Sequence, residues 1–173
     1  MYNTGKFKGY KNNATNCGIE PNVSAISVNS EWDFRYNHIE SRGHGVKLGH
    51  ETVQASGKIC DNEFIYSNTN VATYENCFTL ENADNLEIEN NEINGYYFGI
   101  NGSIWNNGDN LKFNKNKLKN CVKIAISSFS NKVNIELNDN EIEGGEHGIR
   151  LVSGNKNVSI KRNKIKNIKN NGI

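Results

Sequence analysis

The chain is expected to be all-β, a parallel β-helix solenoid of about six to seven rungs, and three observations point to it. An eight-residue pattern (apolar, any, apolar, two positions, Asn, any, apolar) recurs along nearly the whole sequence, most clearly at Leu86-Glu87-Ile88-Glu89-Asn90-Asn91-Glu92-Ile93. A shorter pattern, a small residue followed by an apolar one, interleaves with it. Both alternate with period two, as strands do, and no segment shows the 3.6-residue period that a leucine-rich repeat would carry in its helical half.

Taken in order, residues 1–16 lack the pattern and carry Lys6, Lys8 and Lys11 with Phe7 and Tyr10, which suits an N-terminal cap or an imperfect first rung. The repeats are expected over 17–173. The first clear rung opens at Cys17-Gly18-Ile19-Glu20-Pro21-Asn22, and the residues to Ser30 read as a longer loop. The long pattern then returns from Trp32 to Ile39, Gly57 to Phe64, Leu86 to Ile93, Leu111 to Leu118, Ile135 to Ile142 and Val158 to Ile165. Its Asn falls at 37, 62, 91, 116, 140 and 163, a spacing in the range that signals a solenoid. The short pattern runs Gly18-Ile19, Gly45-Val46, Cys77-Phe78, Gly99-Ile100, Ala125-Ile126, Gly148-Ile149 and Gly172-Ile173, so each copy holds at least two strands. The last copy stops as a new rung begins, an open C-terminal end that implies continuation of the same chain or cover by another subunit.

The Asn has two physical uses. A sharp corner between short strands needs a residue that tolerates left-handed dihedrals, and Asn does so better than other residues with a side chain. Stacked in successive rungs, Asn amides can also bond to one another in a ladder.

Asn accounts for 33 of 173 residues and apolar residues for 35 %, a balance that would suggest disorder were the apolar positions not periodic. A net charge of +1 gives no global field toward nucleic acid or an anionic membrane, so neither is expected as a partner. No apolar run approaches the length of a spanning helix, and Met1-Tyr2-Asn3-Thr4-Gly5-Lys6 begins no signal peptide. The expected location is nonetheless extracellular or on a virus particle, reached from an upstream leader or by another route. From Ile59 to Leu111 there are nine acids and no Lys or Arg, while seven bases and no acid follow from Gly148. Solvated outward positions account for such runs; the sharper alternatives are Ca2+ at the acidic middle rungs and an anionic partner at the basic end. Cys17, Cys60, Cys77 and Cys121 have no metal-ligand spacing and read as small buried residues.

The stretch Ser41-Arg42-Gly43-His44-Gly45-Val46-Lys47-Leu48-Gly49-His50-Glu51 holds the strongest candidates for chemistry. With rungs in register, Glu20 and Lys47 would be outward neighbours with His44 at the edge of the same surface, and Glu51 and Glu75 would complete an acid–base cluster. His147-Gly148-Ile149-Arg150-Leu151 repeats the His-Gly start, so His also simply suits that turn. Tyr96, Tyr97, Phe98 and Trp105 cluster in the fourth rung, and exposed rings beside Asn and acids suit a sugar, whose C–H face a flat ring covers.

On these residues the chain resembles the right-handed parallel β-helix, or pectate-lyase-like, superfamily over 17–173, and Ser41 to Glu51 is similar to the Gly-His-Gly stretch of polygalacturonases. The resemblance implies a right-handed coil and binding or processing of polysaccharide. Where polygalacturonases have adjacent aspartates this chain has Val23-Ser24 or Pro21-Asn22. Lyase or epimerase chemistry is therefore the expected reaction if there is one, with His44 or Lys47 as base and Glu20 beside them. The expected binding groove takes in Glu51, Glu75, Asn101, Trp105, His147 and Arg150. The competing expectation is a non-catalytic shaft or receptor-binding segment of a phage tailspike, which would form a homotrimer.

Overall fold

The computed structural model describes residues 6–17, 23–50, 52–68, 74–102, 109–127 and 132–173. Within them the chain is an all-β solenoid of three parallel sheets. Sheet A stacks Lys6–Tyr10, Glu31–Arg35, Ala55–Cys60, Ala83–Glu89, Leu111–Asn114, Val133–Asn138 and Lys156–Lys161. Sheet B stacks Asn13–Cys17, His38–Ser41, Glu63–Tyr66, Glu92–Asn94, Lys117–Lys119, Glu141–Glu143 and Lys164–Lys166. Sheet C stacks Ser24–Val28, His44–Leu48, Asn76–Leu80, Phe98–Gly102, Ile124–Ser127 and His147–Arg150. Each turn visits A, B and C once, and every strand pairs with its counterpart one turn on, for about six turns. The long pattern is the A–B pair with the corner between them, and the short pattern is sheet C.

Alternation along each strand sends one set of side chains into a narrow core. Phe34, Ile59, Ile88, Phe113 and Leu137 from A meet Ile39, Phe64, Ile93, Leu118 and Ile142 from B and Val46, Phe78, Ile100, Ile126 and Ile149 from C, all buried. Phe64 and Phe78 meet edge to face at 4.8 Å. The small residue that opens the sheet C pattern is a matter of space. A Cβ on Gly45 would stand 2.6 Å from the Cys77 carbonyl oxygen of the next turn, and one on Gly99 2.6 Å from that of Ala125.

The ladder at the A–B corner is continuous from Asn12 through Asn37, Asn62, Asn91, Asn116 and Asn140 to Asn163. Each Nδ2 donates to the Oδ1 of the next amide over 2.8–3.3 Å, and that Oδ1 also accepts the backbone N–H of the donor residue. The second Nδ2 hydrogen of the inner amides goes back to a carbonyl one turn earlier, as from Asn91 to Ile59 at 2.8 Å. The amides are thus satisfied inside the protein without water.

Three expectations need correction. The left-handed residue at this corner is not the Asn but the one before it: Lys11, Tyr36, Asp61, Asn90, Lys115, Asp139 and Arg162, with φ between 53° and 59°. The ladder demands an inward amide, so the turn falls on the residue before it, whose side chain points outward. Gly95, Asn120, Gly144 and Asn167 do carry positive φ at the B–C corner, where the conformational argument holds. Secondly, the loop read up to Ser30 contains the sheet C strand Ser24–Val28, whose Ala25-Ile26 occupies the place assigned to Gly18-Ile19. Thirdly, not all the cysteines are buried: Cys17, which ends a sheet B strand opposite Ser41, and Cys60, at the end of a sheet A strand, are only half-buried. All four thiols are free; Cys77 and Cys121 are buried, and burial pushes the Cys121 thiol up to about 12. Residues 6–17 supply the first strands of A and B, with Gly9 and Ala14 inward, positions too small for an apolar pattern to register.

Candidate functional site

The outward faces of the sheets differ in kind. Sheet A carries the column Lys8, Asp33, Lys58, Glu87, Lys112, Glu136, in which every charge faces its opposite on the neighbouring strands. Glu87 bonds Lys58 at 2.5 Å and Lys112 at 3.5 Å, and together they draw its carboxyl below the usual range. Sheet B carries Glu92, Lys117, Glu141, Lys164 in one column and Lys119, Glu143, Lys166 in another. The one like pair, Glu63 beside Glu92, is relieved from both sides, by His38 at 2.6 Å and Lys117 at 3.0 Å. Four acids of the acidic middle, Glu63, Glu81, Glu87 and Glu92, are therefore met by bases one turn away. Among the described residues no group of three or more His, Cys, Asp or Glu side chains converges as a metal cage.

Sheet C has no such columns. One row reads Ser24, His44, Asn76, Phe98, Ile124, His147, and the other Ser27, Lys47, Thr79, Asn101, Ser127, Arg150; Asn76, Ile124 and Ser127 are buried and the rest are at least partly exposed. Hydroxyls, amides and apolar groups replace paired charges. Asn76 Nδ2 donates to Thr79 Oγ1 at 2.9 Å and Asn101 Nδ2 to Asn76 Oδ1 at 3.4 Å, so the polar groups are pre-ordered across two rungs.

Of the residues singled out from sequence, Lys47, Asn101 and Arg150 share the second row, while His44 and His147 share the first. Glu20, Glu51 and Trp105 lie outside the described residues. The register places Ser27 and Thr79 on either side of Lys47. Lys47 forms an ion pair with Glu81 at 2.7 Å. His44 is half-buried, and its Nδ1 accepts the Asn76 backbone N–H at 2.9 Å. Burial, aided by Lys47, holds its pKa below the usual imidazole range. The ring is thus neutral with its proton on Nε2, and its lone pair is already engaged.

Aromatic rings border this face where the chain passes from sheet B to sheet C. Tyr96 is not among them: it is fully buried, with its Oη 2.7 Å from Ser41 Oγ. The surface cluster consists of Tyr74, Tyr97 and Phe98, with ring centroids 5.6 Å apart for the first pair and 4.9 Å for the second. Tyr74 is 64 % exposed and the other two are partly so. Sequence reading missed Tyr74, which sits a full turn from Tyr97 and meets it only through stacking of rungs. Below the strip, Lys123 on the following rung is engaged by Glu146. Glu75, between Tyr74 and Asn76, is buried at 2 % exposure, and burial raises its pKa.

The arrangement offers a shallow, pre-ordered polar face with an aromatic edge. Comparison of the chain with protein-family models, with curated proteins and with solved structures finds no match in any of the three. The parallel β-solenoid stands on the strand pairing, and no family match supports the pectate-lyase-like or polygalacturonase resemblance.

Proposed function

We propose that the protein is a polysaccharide-binding solenoid whose groove runs along the outward face of sheet C, outside the cell or on a virus particle. One observation carries the reading: the face without charge columns is the face edged by Tyr74, Tyr97 and Phe98. Flat rings cover the C–H side of a sugar while Thr79 and Asn101, held by the buried Asn76, meet its hydroxyls, and rungs repeating every ~4.8 Å suit a repeating ligand. Binding is favoured over bond cleavage because His44 and Lys47, the bases a lyase or epimerase would need, are engaged by Asn76 and Glu81.

The test is a panel of pectate, alginate, hyaluronan and neutral glucans, scored by retardation in affinity electrophoresis and by new reducing ends and unsaturated-product absorbance. Retardation by at least one polysaccharide, lost in Tyr97→Ala, is the expected result; no retardation by any of them overturns the reading. Absorbance that disappears in His44→Ala would make it a lyase instead. A second reading, a structural shaft of a phage tail, draws on the amide ladder and the neutralised faces of A and B, and a trimer in sedimentation without glycan binding would favour it.

A further inference from the structure

The outermost turn of the solenoid, strands Lys156–Lys161 and Lys164–Lys166, differs from the turns before it in three ways. Both strands lie at the edge of their sheets, so one side of each backbone pairs with no strand among the described residues. The core is open beside them: Ile135 and Ile142 are 0 % exposed, whereas their counterparts one turn on, Val158 and Ile165, are 37 % and partly exposed. The amide ladder is open as well. Asn163 sends one Nδ2 hydrogen to the Leu137 carbonyl at 2.6 Å, and among the described residues no further amide accepts the other hydrogen and the N–H, the two bonds that Asn140 makes to Asn163. Charge is the third difference. At the A–B corner the last three turns read Lys115-Asn116-Lys117-Leu118-Lys119, Asp139-Asn140-Glu141-Ile142-Glu143 and Arg162-Asn163-Lys164-Ile165-Lys166, base against acid against base in register. Opposite charges stabilise such neighbouring positions, so the face next to Arg162, Lys164 and Lys166 is one that acids complete.

We propose that this edge docks an acidic strand–corner–strand segment of a partner chain, added in parallel as one more turn. In that pose an Asn of the partner accepts the Asn163 N–H and Nδ2, its aliphatic residues close over Val158, Ile160 and Ile165, and its carboxylates face Arg162, Lys164 and Lys166. Main-chain bonds along an exposed sheet edge give such a strand its affinity, and the alternating side chains give it specificity. Arg162 and Lys166 already meet Asp139 and Glu143 on their inner side. A base between two acids is the arrangement Lys117 has between Glu92 and Glu141. A second copy of this chain is a poor occupant. Stacked head to tail, its first turn would set Lys11 on Arg162 and cover the open core with only Gly9 and Ala14; the basic edges of two copies brought together would repel. The edge is distinct from the aromatic strip of sheet C and docks its strand whether or not that strip holds a glycan.

The experiment measures binding of labelled peptides to the chain by fluorescence anisotropy. The probe is a peptide with the sequence of residues 133–143, the acidic turn of this chain, set beside its Asn140→Ala form, a scrambled form and a basic peptide of residues 156–166. The wild-type chain should bind the acidic peptide about tenfold more tightly than the Asn140→Ala or scrambled forms, which lack the amide acceptor or the register, and should not bind the basic one. Binding should weaken about tenfold when Lys164→Gln and Lys166→Gln are combined, and likewise at high salt. No binding of the acidic peptide, equal binding of its scrambled form, or binding indifferent to the two Lys substitutions overturns the proposal. Self-association of the chain in sedimentation that blocks the acidic peptide overturns it too, and gives the edge to a second copy.

Discussion

Sheets A and B present the solvent with charges matched across neighbouring strands, whereas sheet C presents hydroxyls, amides, two histidines and an aromatic edge. The strands are alike in pairing and inward packing, so the difference in character lies in the outward residues. Opposite charges on adjacent parallel strands favour the native register and balance one another along those faces. Sheet C forgoes that stabilisation. A solenoid that spends its outward positions on two faces for register and on the third for hydrogen bonding has one face suited to a partner.

The comparison can be broken first at what all three sheets depend on. Asn91→Ala removes the acceptor of the Asn62 N–H and Nδ2, leaving two buried donors unmatched, and should lower unfolding free energy by about 3 kcal/mol or more in a urea titration. Gly45→Ala should follow at about 1–3 kcal/mol, since its Cβ meets backbone that cannot give way. Glu87→Lys would set three bases side by side on sheet A and should cost about 1 kcal/mol, recovered in high salt as screening removes the repulsion. Asn101→Ala on sheet C, by contrast, should leave stability within about 0.5 kcal/mol and reduce glycan binding. A large stability loss there would remove the contrast between the faces.

The pH dependence of melting sharpens the same contrast, because the shifted Glu75 and His44 both serve sheet C. Glu75 has a folded pKa above the usual ~4.3 of an unfolded chain, so the folded state holds the proton and stability falls as pH rises from there to the folded value. His44 is depressed below the usual ~6.5, so its contribution is present above that pH and is lost as pH falls toward the folded value. Glu75→Gln should therefore flatten the decline above pH ~4.3, and His44→Asn the loss below pH ~6.5, in melting curves taken across both windows.

Much of this was legible because a solenoid turns sequence order into axial order. The Asn of the long pattern identified the ladder column, and period-two alternation identified the inward residues of A and B. The short pattern marked sheet C through the steric need for a small residue at Gly45 and Gly99. The charge runs were visible too, but their meaning was not. Glu87 stands 29 residues from Lys58 and 25 from Lys112, and only the length of each turn makes them neighbours. The first sheet C strand escaped because Ser24–Val28 follows Pro21 at a point where the expected small-apolar pair had already been assigned to Gly18-Ile19.

By itself, then, the sequence determined the architecture, the column of amides, the core and the absence of a dominant charge, since each follows from a local period that one strand can express. Tertiary structure alone decided which outward residues meet. It moved the left-handed turn from the Asn to the residue before it, gave Lys47 to Glu81 and His44 to the Asn76 backbone, and brought Tyr74 to Tyr97. The reason is physical: an inward position answers to volume and apolarity, which a residue carries with it, whereas an outward position answers to its neighbours one turn away, whose identity depends on the register and the length of every corner between.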